Sequence, residues 1–148
     1  SSFGGANTTH DVGERLAWYL FAPISERRPS WQDNLARMQS VCLECHNSTF
    51  IQTFYQKADD ATLAVNDFIE EANLIRDELD AAGLLTDDPF DEMFDYVYYE
   101  SWHHWGRTAK FGVWMQGPDY TQWHGAYEVL RSLTELEEIA AEKMETGK

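Results

Sequence analysis

Cysteine is scarce in this chain: only Cys42 and Cys45 occur among 148 residues. A disulfide framework is therefore excluded as the device that holds the fold together. Basic residues are also few, 11 Lys and Arg against 26 Asp and Glu, giving a formal net charge of -15 and a pI near 4.5. Nucleic acid and anionic membrane surfaces would be repelled by such a field. A solvated acidic surface, or a basic or neutral partner, is compatible with it. No run of about 18 apolar residues is present, so no membrane span is expected. The chain opens at Ser1 with neither Met nor a signal-type apolar segment, as expected of a processed chain or a piece of a longer one. Neither an internal repeat nor a persuasive strand pattern is found. What is abundant is aromatic: 14% of the residues, with six Trp. Flat cofactors or a large aromatic interface would account for that excess.

The expected fold is mainly α, an irregular haem-bearing N-terminal segment over residues 1–57 followed by three long antiparallel helices in an oligomer-contact region over 58–148. SSFGGANTTHDVG reads as a loop and RLAWYLFAP as a short helix stopped at Pro23. Ser30 and Asp33 resemble a capping box, so a helix should start at Trp31 and carry Leu35, Met38 and Cys42 on one face. Apolar residues from Val65 to Ala82 recur at helical spacing, predicting a helix from about Ala58 to Ala82 with Gly83 as its left-handed stop. Asp88-Pro89 predicts the start of the next helix, which should end at Gly117-Pro118; a last helix is expected from about Asp119 to Glu145. On spacing, the Tyr and Trp stripe of these two helices reads as core.

Both cysteines fall in CLECHNSTF, as Cys42-x-x-Cys45-His46. This is the attachment motif of a c-type haem, in which two thiols add to the vinyl groups and the adjacent imidazole reaches the iron. Such attachment normally takes place outside the cytoplasm, which predicts a periplasm or an equivalent exported compartment, an anammoxosome-like one included. One haem needs His46 and at most one further imidazole, yet His10, His103, His104 and His124 are also present. His10 sits in a polar loop, where an exposed or hydrogen-bonded imidazole is the plainer reading. His103 and His104 are adjacent on a helix and point about 100° apart, so one iron cannot take both. For His124, after Trp123, packing and ligation are equal readings.

Three stretches read in order, THDVGERLAWYLFAP, VCLECHNSTF and YYESWHHWGRTAKFGVWMQGPDYTQWHGAYE, resemble the C-terminal part of the hydroxylamine oxidoreductase family of octahaem cytochromes c, which includes hydrazine dehydrogenase. The resemblance runs from about Thr9 to Glu128. It implies that Cys42, Cys45 and His46 hold the family's final haem, and that His10 and one or both of His103 and His104 are distal ligands, some of them to haems on chain not present here. It also implies a role for Tyr120 of GPDYTQWHG: in oxidative members a Tyr of this motif is covalently joined to the active-site haem of a neighbouring subunit, within a trimer. Two positions depart from the pattern. Trp105 stands where an acid is expected after the paired His, and Gln116 where a second Met is expected before Gly117-Pro118. The other haem motifs and the acid and His of the catalytic pocket are missing, so this chain alone would not turn over substrate.

The expectation is thus a C-terminal portion or subunit of a multihaem oxidoreductase acting on hydroxylamine or hydrazine, with haem c, the rest of an octahaem chain and a soluble electron acceptor as partners. The alternative is a monohaem or filament-type electron-transfer cytochrome c without catalysis.

Overall fold

The computed structural model describes residues 31–147, which are mainly helical, with no strand among them. The loop, the short helix, His10 and Ser30 of the sequence reading lie outside the described residues. The chain divides into two compact units, Ser1–Lys57 and Ala58–Lys148.

In the first unit, α1 spans Trp31–Cys42, and the cap the sequence predicts for it at Ser30 lies outside the described residues. Met38 is buried, while Leu35 and Cys42 are half-buried on the same face. The next helix, α2, spans Ser48–Ala81 and continues without a break into the second unit. It begins ten residues before the expected Ala58, and the reason is local. Asn47 acts as its cap, its side-chain oxygen accepting the Phe50 N–H at 2.8 Å. Burial along α2 falls on Ile51, Ala58, Val65, Ala72 and Leu79, one residue in every seven. Phe68, Ile69 and Ile75 pack partly buried beside this line, so the inward face is the apolar stripe that the helical period predicts, with its most deeply buried residues seven apart.

The end of α2 is as the sequence predicts. Gly83 stands at φ 69°, Leu84 N–H donates to Leu79 O at 3.0 Å and Gly83 N–H to Asp80 O at 2.9 Å. This pair of bonds satisfies two of the last carbonyls of the helix. The following start was misplaced. Asp88-Pro89 does not open a helix, because Phe90 at φ 65° leaves the helical region directly after it. Instead α3 spans Met93–Tyr99, flanked by Glu92. It runs on into a π-helical segment, π1, Glu100–Gly106, and then α4, Arg107–Trp114. A last rod follows as α5, Pro118–Thr121, a second π-helical segment π2, Gln122–Ala126, and α6, Tyr127–Thr146.

Three rods alternate in direction in the second unit. Val65 packs with Ala109 and Val129 in one layer, and Ala72 and Leu79 pack with Phe94, Val97, Leu133 and Leu136 in the next. Residue numbers therefore rise along α2, fall along α4 to α3, and rise again along α6. Phe94, Leu79 and Leu136 are almost wholly buried, and each such side chain contributes about 1.5–3 kcal/mol by leaving water. Lys143 ties the α2–α3 connection to α6, pairing with Glu92 and donating to Leu84 O at 3.1 Å.

The aromatic stripe is corrected by this packing. Phe94 and Trp114 are core, but Tyr120, Trp123 and Tyr127 are 61%, 64% and 53% exposed, and Trp102 is exposed as well. The core was already filled by smaller residues, since Ala109 and Val129 meet Val65 where the larger rings were expected.

Candidate functional site

The haem motif lies just past the end of α1. Leu43–Asn47 is not helix, yet one helical turn persists there: His46 N–H donates to Cys42 O at 2.9 Å and Cys45 N–H to the same oxygen at 3.2 Å. Residues at i, i+3 and i+4 of such a turn share a side. Cys42 and Cys45 are free thiols, Cys45 and His46 are exposed, and Cys42 is half-buried. The His46 imidazole stacks on Phe50 at 4.2 Å and 12°, so the first turn of α2 braces one ring face while the nitrogen-bearing edge is left for a ligand.

His103 and His104 both lie in π1. His103 stacks on Tyr99 at 4.4 Å and 19°, with Trp102 edge-on at 5.3 Å. His104 meets Trp105 edge-on at 4.4 Å instead. The two imidazoles keep different company, as the divergence of neighbouring helical positions requires. The indole nitrogen of Trp105 is buried with no hydrogen-bond partner among the described residues, an orphaned donor next to a candidate ligand.

Tyr120 lies on α5 and His124 on π2. In π2 the N–H of Tyr127 reaches back five residues to Gln122 O. Asp119 Oδ2, five residues before His124, lies 3.3 Å from its Nε2, and the Tyr120 ring, four residues before it, is 5.7 Å from the imidazole. Both partners of the Asp119–His124 pair are more than half exposed, so the contact orients the ring more than it stabilises the fold.

Glycine sets the position of this strip. A Cβ at Gly125 would stand 2.5 Å from Ala109 Cα and 2.6 Å from Tyr120 O, and one at Gly112 would stand 2.5 Å from Thr121 N. The backbones of α4 and of α5 with π2 therefore touch, and Tyr120 is carried outward on that contact. Gln116 enters the turn before it at φ 59°, with Gly117 N–H donating to Gly112 O at 2.7 Å and Gln116 N–H to Val113 O at 3.1 Å. That is a helix stop normally given to glycine.

Sequence reasoning missed Asp119, whose contact with His124 spans five residues and follows no helical spacing rule. Trp105 it marked only as a departure from the family pattern, without its buried and unpaired indole nitrogen. Burial holds the Lys110 ammonium of α4 below its ordinary value, and burial raises the Tyr98 phenol, with Arg76 opposing and Asp77 adding to the rise. No helix among the described residues is long and apolar enough to cross a membrane. Compared with known proteins, the chain matches no family model, no curated protein and no solved structure.

Proposed function

We propose that this chain is the C-terminal portion, or a separately chained subunit, of a hydroxylamine oxidoreductase-like multihaem enzyme that oxidises hydroxylamine or hydrazine in an exported compartment. The observation that carries the reading is the CLECH turn: two free thiols and the next imidazole on one hydrogen-bonded turn. Covalent attachment of haem c asks for that set. Cys42 and Cys45 would hold the group and His46 would ligate it, and the bound haem supplies one-electron transfer. His10 and one of His103 and His104 are read as ligands to irons held by other chain, since adjacent positions cannot serve one iron.

Tyr120 is read as the residue joined to a neighbouring subunit's active-site haem. Its exposure, with Trp123 and Tyr127 also open on the same stretch, supports a role directed outside this chain. A homotrimer and a soluble electron acceptor follow from the same reading.

The test is an intact mass of the native particle together with a haem count by pyridine haemochrome, then a denatured digest. More than one haem for each copy of this chain, and a haem-linked peptide spanning Tyr120, are expected. Tyr120→Phe should lose the oxygen bond to the haem and loosen the trimer. One haem per particle would favour a monohaem electron-transfer cytochrome, and an unmodified Tyr120 would remove the oxidative reading.

A further inference from the structure

Where α2 ends and α3 begins, a cleft of about 240 Å³ opens, apart from both the CLECH turn and the Tyr120 strip. Two kinds of side chain line it: the rings of Phe90, Tyr99 and Trp102, and the carboxylates of Asp80, Asp87 and Asp95. The rings meet edge to face, Phe90 with Tyr99 at 5.1 Å and 85°, Tyr99 with Trp102 at 5.3 Å and 79°. Successive rings thus turn at right angles, the arrangement of a box rather than a stack. Phe90 is held in it at φ 65°, a backbone conformation unfavourable for an aromatic residue and of the kind found at ligand clamps.

The carboxylates are unequally satisfied. Asp91, Glu92 and Asp95 bring oxygen atoms within 4.8 Å of one another. Asp91 accepts from Thr86 Oγ1 at 2.8 Å and Glu92 pairs with Lys143. Asp95 Oδ2 is buried and has no hydrogen-bond partner among the described residues. Arg76 is the one cation lining the cleft; it stands 5.6 Å over the Tyr98 ring and lies 3.7 Å from Asp77. The cleft therefore already receives one guanidinium on an aromatic face and the His103 imidazole covers one face of Tyr99, while Phe90 and Trp102 have no Lys or Arg over them among the described residues.

These features select a ligand class. An anion would meet three carboxylates against one guanidinium, and a neutral ligand would make no use of that excess of negative charge. A bare divalent ion would make no use of the rings. A nitrogen cation wrapped in alkyl groups uses both, facing the rings and answering the carboxylates. We propose that this cleft binds an organic cation, an ammonium head presented by a free alkylammonium molecule or by a lysine side chain of a basic partner. The site shares no residue with the haem motif or Tyr120, but Tyr99 and Trp102 also pack against His103, so the cleft adjoins one of the imidazoles that the multihaem reading uses.

The experiment titrates the full chain with choline, with its neutral carbon isostere 3,3-dimethylbutan-1-ol, and with N-acetyl-lysine amide. Indole N–H resonances are followed by NMR, the Trp102 signal being assigned through Trp102→Phe. Choline is expected to bind about tenfold more tightly than the isostere. Asp95→Asn and the loop variant Asp87→Asn should each weaken choline, and Trp102→Ala should abolish the binding, with far-UV circular dichroism and thermal midpoints showing each variant folded. N-acetyl-lysine amide displacing choline at equal concentration assigns the cleft to a partner's lysine; choline bound with no such displacement assigns it to a free alkylammonium molecule. Equal affinity for choline and its isostere, binding of neither cation, or choline affinity unchanged in folded Asp95→Asn and Asp87→Asn would overturn the proposal.

Discussion

Replacing Gly125 by Ala sets two known effects against each other. In an ordinary helix interior the change gains about 1 kcal/mol, because Ala restricts the unfolded backbone and Gly does not. Here the added methyl meets Ala109 Cα at 2.5 Å, Ala109 Cβ at 2.6 Å and Tyr120 O at 2.6 Å. None of these atoms can swing aside, so relief requires α4 to separate from π2 and the turn between Tyr120 and Gly125 to give as well. Overpacking of this kind costs typically about 1–3 kcal/mol, and contacts this short place it at the upper end. The expected net loss is about 2 kcal/mol, a fall in thermal midpoint of roughly 10 °C for a domain of this size. Urea denaturation of the full chain measures it, with Gly83→Ala as the companion. Gly83 has φ 69° and nothing within 4 Å of its missing Cβ, so that variant loses only the backbone contribution, about 1 kcal/mol. Gly125→Ala as stable as the parent would refute the close approach of the two backbones, and with it the account of how Tyr120 is held outward.

Three further outcomes are expected. Gln116→Gly should raise stability by about 1 kcal/mol in the same denaturation assay, because φ 59° then carries no Cβ penalty. The depressed Lys110 ammonium means that the folded state disfavours the charge; its penalty is in full force at neutral pH and fades as pH rises toward the unfolded value of 10.5. Lys110→Met should therefore be more stable than the parent at pH 7, with the difference shrinking as the pH is raised; a constant difference would count against burial as the cause. Finally, the haem on Cys42 and Cys45 should be six-coordinate and low-spin between His46 and a second imidazole, and His46→Ala should lose that spectrum; a sulfur-to-iron charge-transfer band would contradict it.

The parts of the fold written in local chemistry were legible in the sequence. Gly83 stops α2 because a cap acts through neighbouring residues. The start of α2 was also written, in Asn47, a cap that directly follows the CxxCH motif. Two things were not written locally. Periodicity marks Tyr120, Trp123 and Tyr127 as one face without saying whether that face is covered, and here Ala109 and Val129 had already closed the core. The π-segments were invisible for a related reason, since ESWHHWG and QWHGA have the composition of ordinary helix. Their packing partners are distant in sequence: a Cβ at Gly106 would meet Ile69, and one at Gly125 would meet Ala109. Of the candidate residues, the chemistry of Cys42, Cys45 and His46 could be read from spacing, whereas the Asp119–His124 contact could not.

The two π-segments also act as phase shifters. Each lodges an extra residue in an otherwise α-helical rod, and one residue of α-helix is about 100° of rotation. Downstream of π1 the face carrying Ala109 and Gly112 is turned relative to Phe94 and Val97, and downstream of π2 the face carrying Val129 and Leu133 is turned relative to Tyr120. The inward face of one stretch and the outward face of the next are thereby set independently along a single rod. Removing one residue from either segment would make the helix more regular and the surface less so: the histidines would hold their places only if the core gave up its own.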